Sequence, residues 1–399
     1  MSRRLLGEVL EEAIGSKKND GTYKSERVIT SVQGSTVRLA GRPEPVLNLC
    51  ANNYLGLAAD PDVAGAAEGA LRSHGFGLAS VRFICGTQDM HKRLELEIAD
   101  FLGTESSLLY TSCFDANGGL FENFLGADDA VISADLNHAS IIDGIRLSKA
   151  SRFRYRWDDL ASLENNLKKA QGCRLRLVVT DGVFSMEGSL APLDKIVPLC
   201  REYDALLAVD DSHATGFIGP NGRGTPEHFG VGDQVDIYTG TLGKALGGGC
   251  GGYIAGPGKL IDWQRNASRP YLFSNSLAPA LVAGALKSIE IIRSERGAEL
   301  RSRLGDNTVY FRRGMTERGF TIEEGIHPIV PIMIGDAALA GQMADDLLDR
   351  GIYVISFSFP VVPEGKARIR VQLSAVHTTG QLDMAMDAFR AAAREADLF

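Results

Sequence analysis

The chain has 399 residues, 44% hydrophobic and 23% charged, the composition of a globular protein long enough for one large or two ordinary domains. A formal net charge of −8 argues against nucleic acid or an acidic membrane as the main partner, while leaving room for a local basic pocket. Cys50, Cys85, Cys113, Cys173, Cys200 and Cys250 stand far apart with no C-x-x-C pair. That pattern predicts reduced cytoplasmic thiols and neither a disulfide framework nor a metal site.

The N-terminal "MSRRLLGEVLEEAIGSKKND" reads as an amphipathic helix, since Glu8, Glu11 and Glu12 interrupt anything like a secretory or transit segment. No apolar run reaches membrane-spanning length. "RVITSVQGSTVRLAG" reads as a hairpin, and residues 1–50 are expected to pack beside the C-terminal domain or on a partner subunit.

Residues 51–285 carry the pattern of a large α/β domain. "SSLLYT" (106–111), "DAVISA" (129–134), "RLRLVVT" (174–180) and "ALLAVD" (205–210) are short apolar runs that predict buried strands. Helical patterns such as "MHKRLELEIADFLG" and "PLDKIVPLCREY" lie between them, with Pro192 in a first helical turn. The alternation predicts a mainly parallel sheet of the seven-stranded type. From 286 to 399, two long helical stretches, "IVPIMIG", a helix near 338–350, "IYVISF", "ARIRVQ" and a closing helix read as a smaller α+β domain.

In such sheets ligands bind where loops leave the carboxyl ends of strands. "TSCFDANGG" puts Cys113 and Phe114 at a helix start, a ready anion site although most helix starts bind nothing. "LNHASIIDG" places His138 at another strand-to-helix connection, where a structural histidine is the more common finding. "TDGVFSMEG" and "DDSHATG" follow two further strands, the latter with Asp210 ending its strand and His213 three residues on. As a bland alternative, Asp210 caps the next segment and His213 is a hydrogen-bonded loop residue.

"TGTLGKALGGGCGG" sets Lys244 among glycines. A phosphate-binding P-loop fails here, because Ala245 stands where a hydroxyl is needed and Tyr238 where the first glycine belongs. Gly247, Gly249 and Gly252 match a dinucleotide fingerprint formally, but they precede the strand-like "YIAG" and no suitable acidic residue follows. Taken together, a lysine nucleophile, a carboxylate ending a buried strand, two histidines and an anion cradle at one sheet edge are the set that pyridoxal phosphate requires.

Long blocks across nearly the whole chain, including "CANNYLGL", "SHGFGLASVRFICGTQD", "SCFDANGGLFE", "VDDSHATGF", "SRPYLFSNSLAPA" and "ARIRVQLSA", resemble the α-oxoamine synthases. These are fold-type I pyridoxal-phosphate transferases that join an amino acid to an acyl-CoA. The resemblance is strongest to the branch using glycine and acetyl-CoA. It implies that Lys244 holds the cofactor covalently and that Asp210 pairs with its ring nitrogen. His213 and Ser185 would meet the phenolic oxygen, and His138 would stack on the ring and touch substrate. Cys113 and Phe114 amides with Thr241 would hold the phosphate, joined by Ser274 and Asn275 from the second subunit of a homodimer. Arg368 would bind the glycine carboxylate with Asn52 nearby. On the residues alone, Arg368 and Arg370 share a strand face and either could be a surface charge. The resemblance further implies work beside a threonine dehydrogenase. The alternatives are a sister synthase with another acyl-CoA or amino acid and, more remotely, a non-catalytic amine sensor.

Overall fold

Short runs of leucine, isoleucine and valine are too brief for buried helices and bury best as central strands. In the computed structural model, which describes residues 2–398, seven segments form one sheet. They are β1 (Ser106–Tyr110), β2 (Ala130–Ala134), β3 (Ser151–Tyr155), β4 (Arg176–Asp181), β5 (Leu206–Asp210), β6 (Ile237–Thr241) and β7 (Gly252–Gly256). Their spatial order is β1-β7-β6-β5-β4-β2-β3. β7 runs antiparallel to both of its neighbours, and the remaining adjacent pairs are parallel. The mainly parallel seven-stranded sheet is therefore as expected.

β3 has no counterpart in the sequence reading. Its "SRFRY" carries arginines at alternate positions, lies at the sheet edge and leaves Ser151, Arg152 and Arg154 exposed, so no apolar run announces it. Helices α1 (Cys113–Leu120) and α2 (Ala139–Leu147) pack on the sheet. Leu120, Ile141 and Ile145 meet Leu108, Val131, Leu177, Val179 and Ile254 in one buried cluster. At about 1.5–3 kcal/mol for each fully buried aliphatic side chain, this cluster holds the two helices against the sheet.

The chain divides into two compact units. The larger comprises Asn52–Ser185 and Ser189–Ser302. Helix Pro279–Arg293 spans the boundary expected near 285 and packs on helices Pro61–His74 and Asp89–Leu102, which places it in this unit. The smaller unit takes the N-terminal stretch to Ala51, Met186–Gly188 and the C-terminal stretch from Arg303.

In the smaller unit, Ile329–Gly335, Ala367–Gln372 and Ser356–Phe357 form an antiparallel sheet. "IYVISF" is not one strand. Ile352–Tyr353 pairs with Val46–Asn48, while Ser356–Phe357 pairs with Ala367–Gln372. The expected hairpin reduces to a single bridge between Ile29 and Leu39, because Thr36–Val37 pairs with Val46 and Leu47 instead. Pro192 sits one position earlier than expected, as the N-cap of helix Leu193–Glu202. Among the described residues no helix is long and apolar enough to cross a membrane.

Candidate active site

The parallel strands end at one sheet edge, so the loops that follow them converge there. The register sets Asp181 of β4 opposite Asp210 of β5, and Asp210 opposite Thr239 of β6. Beyond these ends lies a cavity of about 210 Å³ lined by Ser112, Cys113, Phe114, His138, Ser140, Asp181, Val183, Asp210, Ser212, His213, Thr241 and Lys244. Seven residues singled out from the sequence thus line one cavity: Cys113, Phe114, His138, Asp210, His213, Thr241 and Lys244.

Asp210 is buried, and its carboxylate is supplied with donors on both oxygens. Ser212 N–H reaches Oδ1 at 3.0 Å, Asn117 Nδ2 reaches Oδ2 at 2.6 Å, and the Cys113 thiol approaches Oδ2 at 3.5 Å. A carboxylate offers roughly four lone-pair sites, so capacity remains for a donor in the cavity. His213 is held from behind, with Tyr54 Oη 2.8 Å from its Nδ1. The Lys244 loop is pinned by Thr241, whose hydroxyl donates to Gly251 O at 3.2 Å and accepts from Gly243 N–H at 3.0 Å.

Ser112 caps α1 by accepting from Asp115 N–H at 3.0 Å, which leaves the Cys113 and Phe114 amides at the helix start. β7 packs directly against this turn. A Cβ on Gly252 would lie 2.2 Å from Cys113 N and 2.4 Å from the Ser112 carbonyl carbon, so glycine permits the approach. His138 caps α2. Its Nδ1 lies 2.7 Å from Ser140 Oγ, and its own N–H donates to Asp181 Oδ2 at 3.0 Å.

Burial dominates the electrostatics. Desolvation and then the neighbouring Asp210 push Asp181 well above the carboxylate range, against the pull of Lys244. Asp211, held by Thr225 N–H and Oγ, is raised by burial to about 7. Desolvation lowers His138 despite the nearby Asp210, keeping its imidazole neutral more readily. The Cys113 thiol is raised far above its ordinary range by burial and by Asp210, which makes it a weak nucleophile.

Ser185, two residues past Val183, is not among the lining side chains. Ser274 and Asn275 line a separate crevice with Arg82, Thr111 and Ser276. Asn52 belongs to the larger unit, and its Oδ1 is buried without a hydrogen-bond partner among the described residues. Arg368 belongs to the smaller unit and is buried, not a surface charge; it donates to Glu187 Oε1 at 2.8 Å and Met186 O at 3.1 Å. Arg370 is buried as well, with its guanidinium 4.6 Å from the Phe357 ring centroid.

Sequence reading missed Asp181, Asn117, Ser140 and Tyr54. Asp181 gave a usable signal, since like Asp210 it ends an apolar strand. The others depend on contacts between distant segments and gave none.

An anion cradle at a helix start, a carboxylate aimed at the cavity from a strand end and a lysine on a glycine-rich loop define a fold-type I pyridoxal-phosphate transferase. The chain belongs to the aminotransferase class I and II family, whose model matches residues 44–389. It is 55% identical over 382 residues to 2-amino-3-ketobutyrate coenzyme A ligase of Salmonella typhimurium, covering 95% of both chains. It is 44% identical over 391 residues to 8-amino-7-oxononanoate synthase 1 of Bacillus subtilis, covering 98% of both. A solved structure of SPT with a PLP internal aldimine superimposes with a TM-score of 0.92 at 32% identity, covering 98% of each chain.

Proposed function

We propose that the chain is a pyridoxal-phosphate-dependent glycine C-acetyltransferase. It joins glycine and acetyl-CoA to give 2-amino-3-ketobutyrate and CoA, or cleaves that ketoacid with CoA in reverse. The observation that carries the reading is 55% identity to the Salmonella ligase over nearly the full length of both chains. The cavity agrees with it, since its donor set fits the cofactor group by group. Amides of Cys113 and Phe114 suit the phosphate, joined by the Thr241 hydroxyl once it turns from Gly251 O; Asp210 suits a protonated ring nitrogen, and Lys244 suits the carbonyl carbon.

When bound, pyridoxal phosphate supplies an electron sink for charge developing at the glycine α-carbon. Asp210, buried and already hydrogen-bonded, holds the proton on the ring nitrogen that makes this sink effective. His138 lines the cavity and meets Phe114 edge-on, at 6.3 Å between centroids. His213, fixed by Tyr54, would orient the cofactor's phenolic oxygen, and the resemblance assigns Ser185 to the same oxygen. Lys244 takes a proton from the α-carbon of glycine and passes it to the departing CoA sulfur. The α-carbon attacks the acetyl carbonyl, a carbon–carbon bond forms, and CoA leaves as its thiolate and takes up a proton. Arg368 pairs with the glycine carboxylate in this reading, which also counts Asn52 among the substrate-binding residues.

The same reading takes a second copy of this chain as partner. Phe76, Phe83, Ile84 and Phe273 are exposed on segments that the Val81–Asn275 bridge draws together. Helix Ser2–Asn19 exposes Leu6, Val9, Leu10 and Ile14 at helical spacing. Covering these faces in a homodimer would bring Ser274 and Asn275 to the neighbouring site. A dehydrogenase that oxidises threonine would supply the ketoacid for the cleavage direction.

The test is CoA release by the cofactor-loaded protein from glycine with separate acetyl-, succinyl-, pimeloyl- and palmitoyl-CoA. Release with acetyl-CoA far above the others supports the reading. Preference for pimeloyl-CoA, with alanine replacing glycine, would move the chain to the activity named for the Bacillus relative.

A further inference from the structure

The two groups that face the cofactor in this reading, Asp210 and His138, come from different strand ends, yet one side chain connects them. Asn117 lies one turn beyond Cys113 on α1, pointing the same way, and is buried at 1% exposure. Its Nδ2 donates to Asp210 Oδ2 at 2.6 Å and to Ser140 Oγ at 3.0 Å. An ionised carboxylate has no hydrogen to give, so the amide must turn its NH₂ toward Asp210. The two short contacts take both amide hydrogens, one on Asp210 and one on Ser140, and Cys113 Sγ at 3.7 Å shares them only weakly.

Ser140, also buried, thereby receives a hydrogen on its oxygen and must send its own elsewhere. Its Oγ lies 2.7 Å from His138 Nδ1, and its backbone N–H points to the same nitrogen at 3.3 Å. Two donors facing Nδ1 make that nitrogen the acceptor and leave the proton of a neutral ring on Nε2. We propose that Asn117 is a positioning residue of this site: its amide holds the Asp210 carboxylate and, through the Ser140 hydroxyl, fixes His138 as the Nε2–H tautomer. One amide thus orients the Asp210 carboxylate and, through Ser140, sets the hydrogen-bonding character of the His138 imidazole. The role given to Asp210 and His138 rests on the cofactor reading above.

The test compares the pyridoxal-phosphate-loaded parent with Asn117→Asp, which keeps the shape and removes the donor, and Ser140→Ala, which leaves the Asp210 contact alone. Three readouts are taken: cofactor affinity, the pH titration of the cofactor's visible absorption band, and the ¹⁵N resonances of His138. Asn117→Asp is expected to weaken cofactor binding about tenfold or more, the loss of a charge-assisted hydrogen bond. Its band midpoint is expected to move by about one pH unit, because two opposed carboxyls share a proton. Ser140→Ala is expected to keep affinity within about twofold and the same midpoint, while His138 passes from one tautomer to a mixture.

A folded Asn117→Asp protein with parental affinity and midpoint overturns the positioning role and leaves the cofactor reading standing. If that variant does not fold, Ser140→Ala decides: a His138 that keeps a single Nε2–H tautomer without the hydroxyl overturns the relay. A parent protein that takes up no pyridoxal phosphate removes the cofactor reading itself, and this inference with it.

Discussion

Replacing Gly252 by alanine tests the anion cradle without touching any group that performs chemistry. The added methyl would stand 2.2 Å from Cys113 N, 2.4 Å from the Ser112 carbonyl carbon and 2.5 Å from Cys113 Cα. Ordinary contact begins at 3.4 Å, so the first turn of α1 must retreat from β7 by about 1 Å. Every close atom is backbone, and no flexible side chain can absorb the shift. The expected cost is about 1–3 kcal/mol of stability, read as a fall in melting temperature of several degrees. The same displacement carries the Cys113 and Phe114 amides away from the phosphate, so cofactor affinity should fall about 10–100-fold. Pyridoxal, which lacks the phosphate, should lose much less. Gly118→Ala is the control on the same helix, where an added Cβ meets nothing within 4 Å. It should be neutral or stabilise by up to about 1 kcal/mol. A Gly252→Ala protein that melts with the parent and binds pyridoxal phosphate as tightly would refute the argument.

Lys244→Ala should lower CoA release from glycine and acetyl-CoA by about 10²–10⁴-fold or more, while a purified protein still retains some cofactor through its phosphate contacts; near-parental turnover would remove Lys244 as the base. Glu187→Gln releases the carboxylate that pairs with buried Arg368 at 2.8 Å. The KM for glycine should fall about threefold or more with kcat little changed, as measured by initial rates, because a competing charge-assisted bond is weakened; an unchanged KM would count against Arg368 as the carboxylate partner. His377 is buried, accepts from Ser374 N–H at Nδ1 (3.1 Å), donates from Nε2 to Asn48 O (3.0 Å), and has its pKa lowered by desolvation to about 4 from 6.5. Between these values the unfolded chain binds more protons than the folded one, so stability is complete above about pH 6.5 and declines as pH falls toward 4. Denaturant titrations should show this loss, on the order of 3 kcal/mol, and His377→Gln should flatten it.

Most of the large unit was legible because its strands are short apolar runs and its helices keep helical spacing, both local properties of the chain. The clustering of Lys244, Asp210, His138 and the Cys113 helix start followed from one rule about where parallel strands end. β3 was not legible, since an edge strand keeps its outer residues polar and lacks the apolar signature. "IYVISF" misled because a continuous apolar run can serve two sheets in succession.

By itself, then, the sequence determined the alternation of strands and helices, the chemistry of the loops and the long blocks that mark the family. Tertiary structure decided which side chains meet. It set Asp181 opposite Asp210 through sheet register, carried Tyr54 to His213 across 159 positions, and turned Glu187 onto Arg368. It also placed Gly252 against the helix start and Asn117 between Asp210 and Ser140. Local propensity fixes an element's type and the direction its side chains face. Contacts between elements arise from register and packing, which no stretch of neighbouring residues encodes alone.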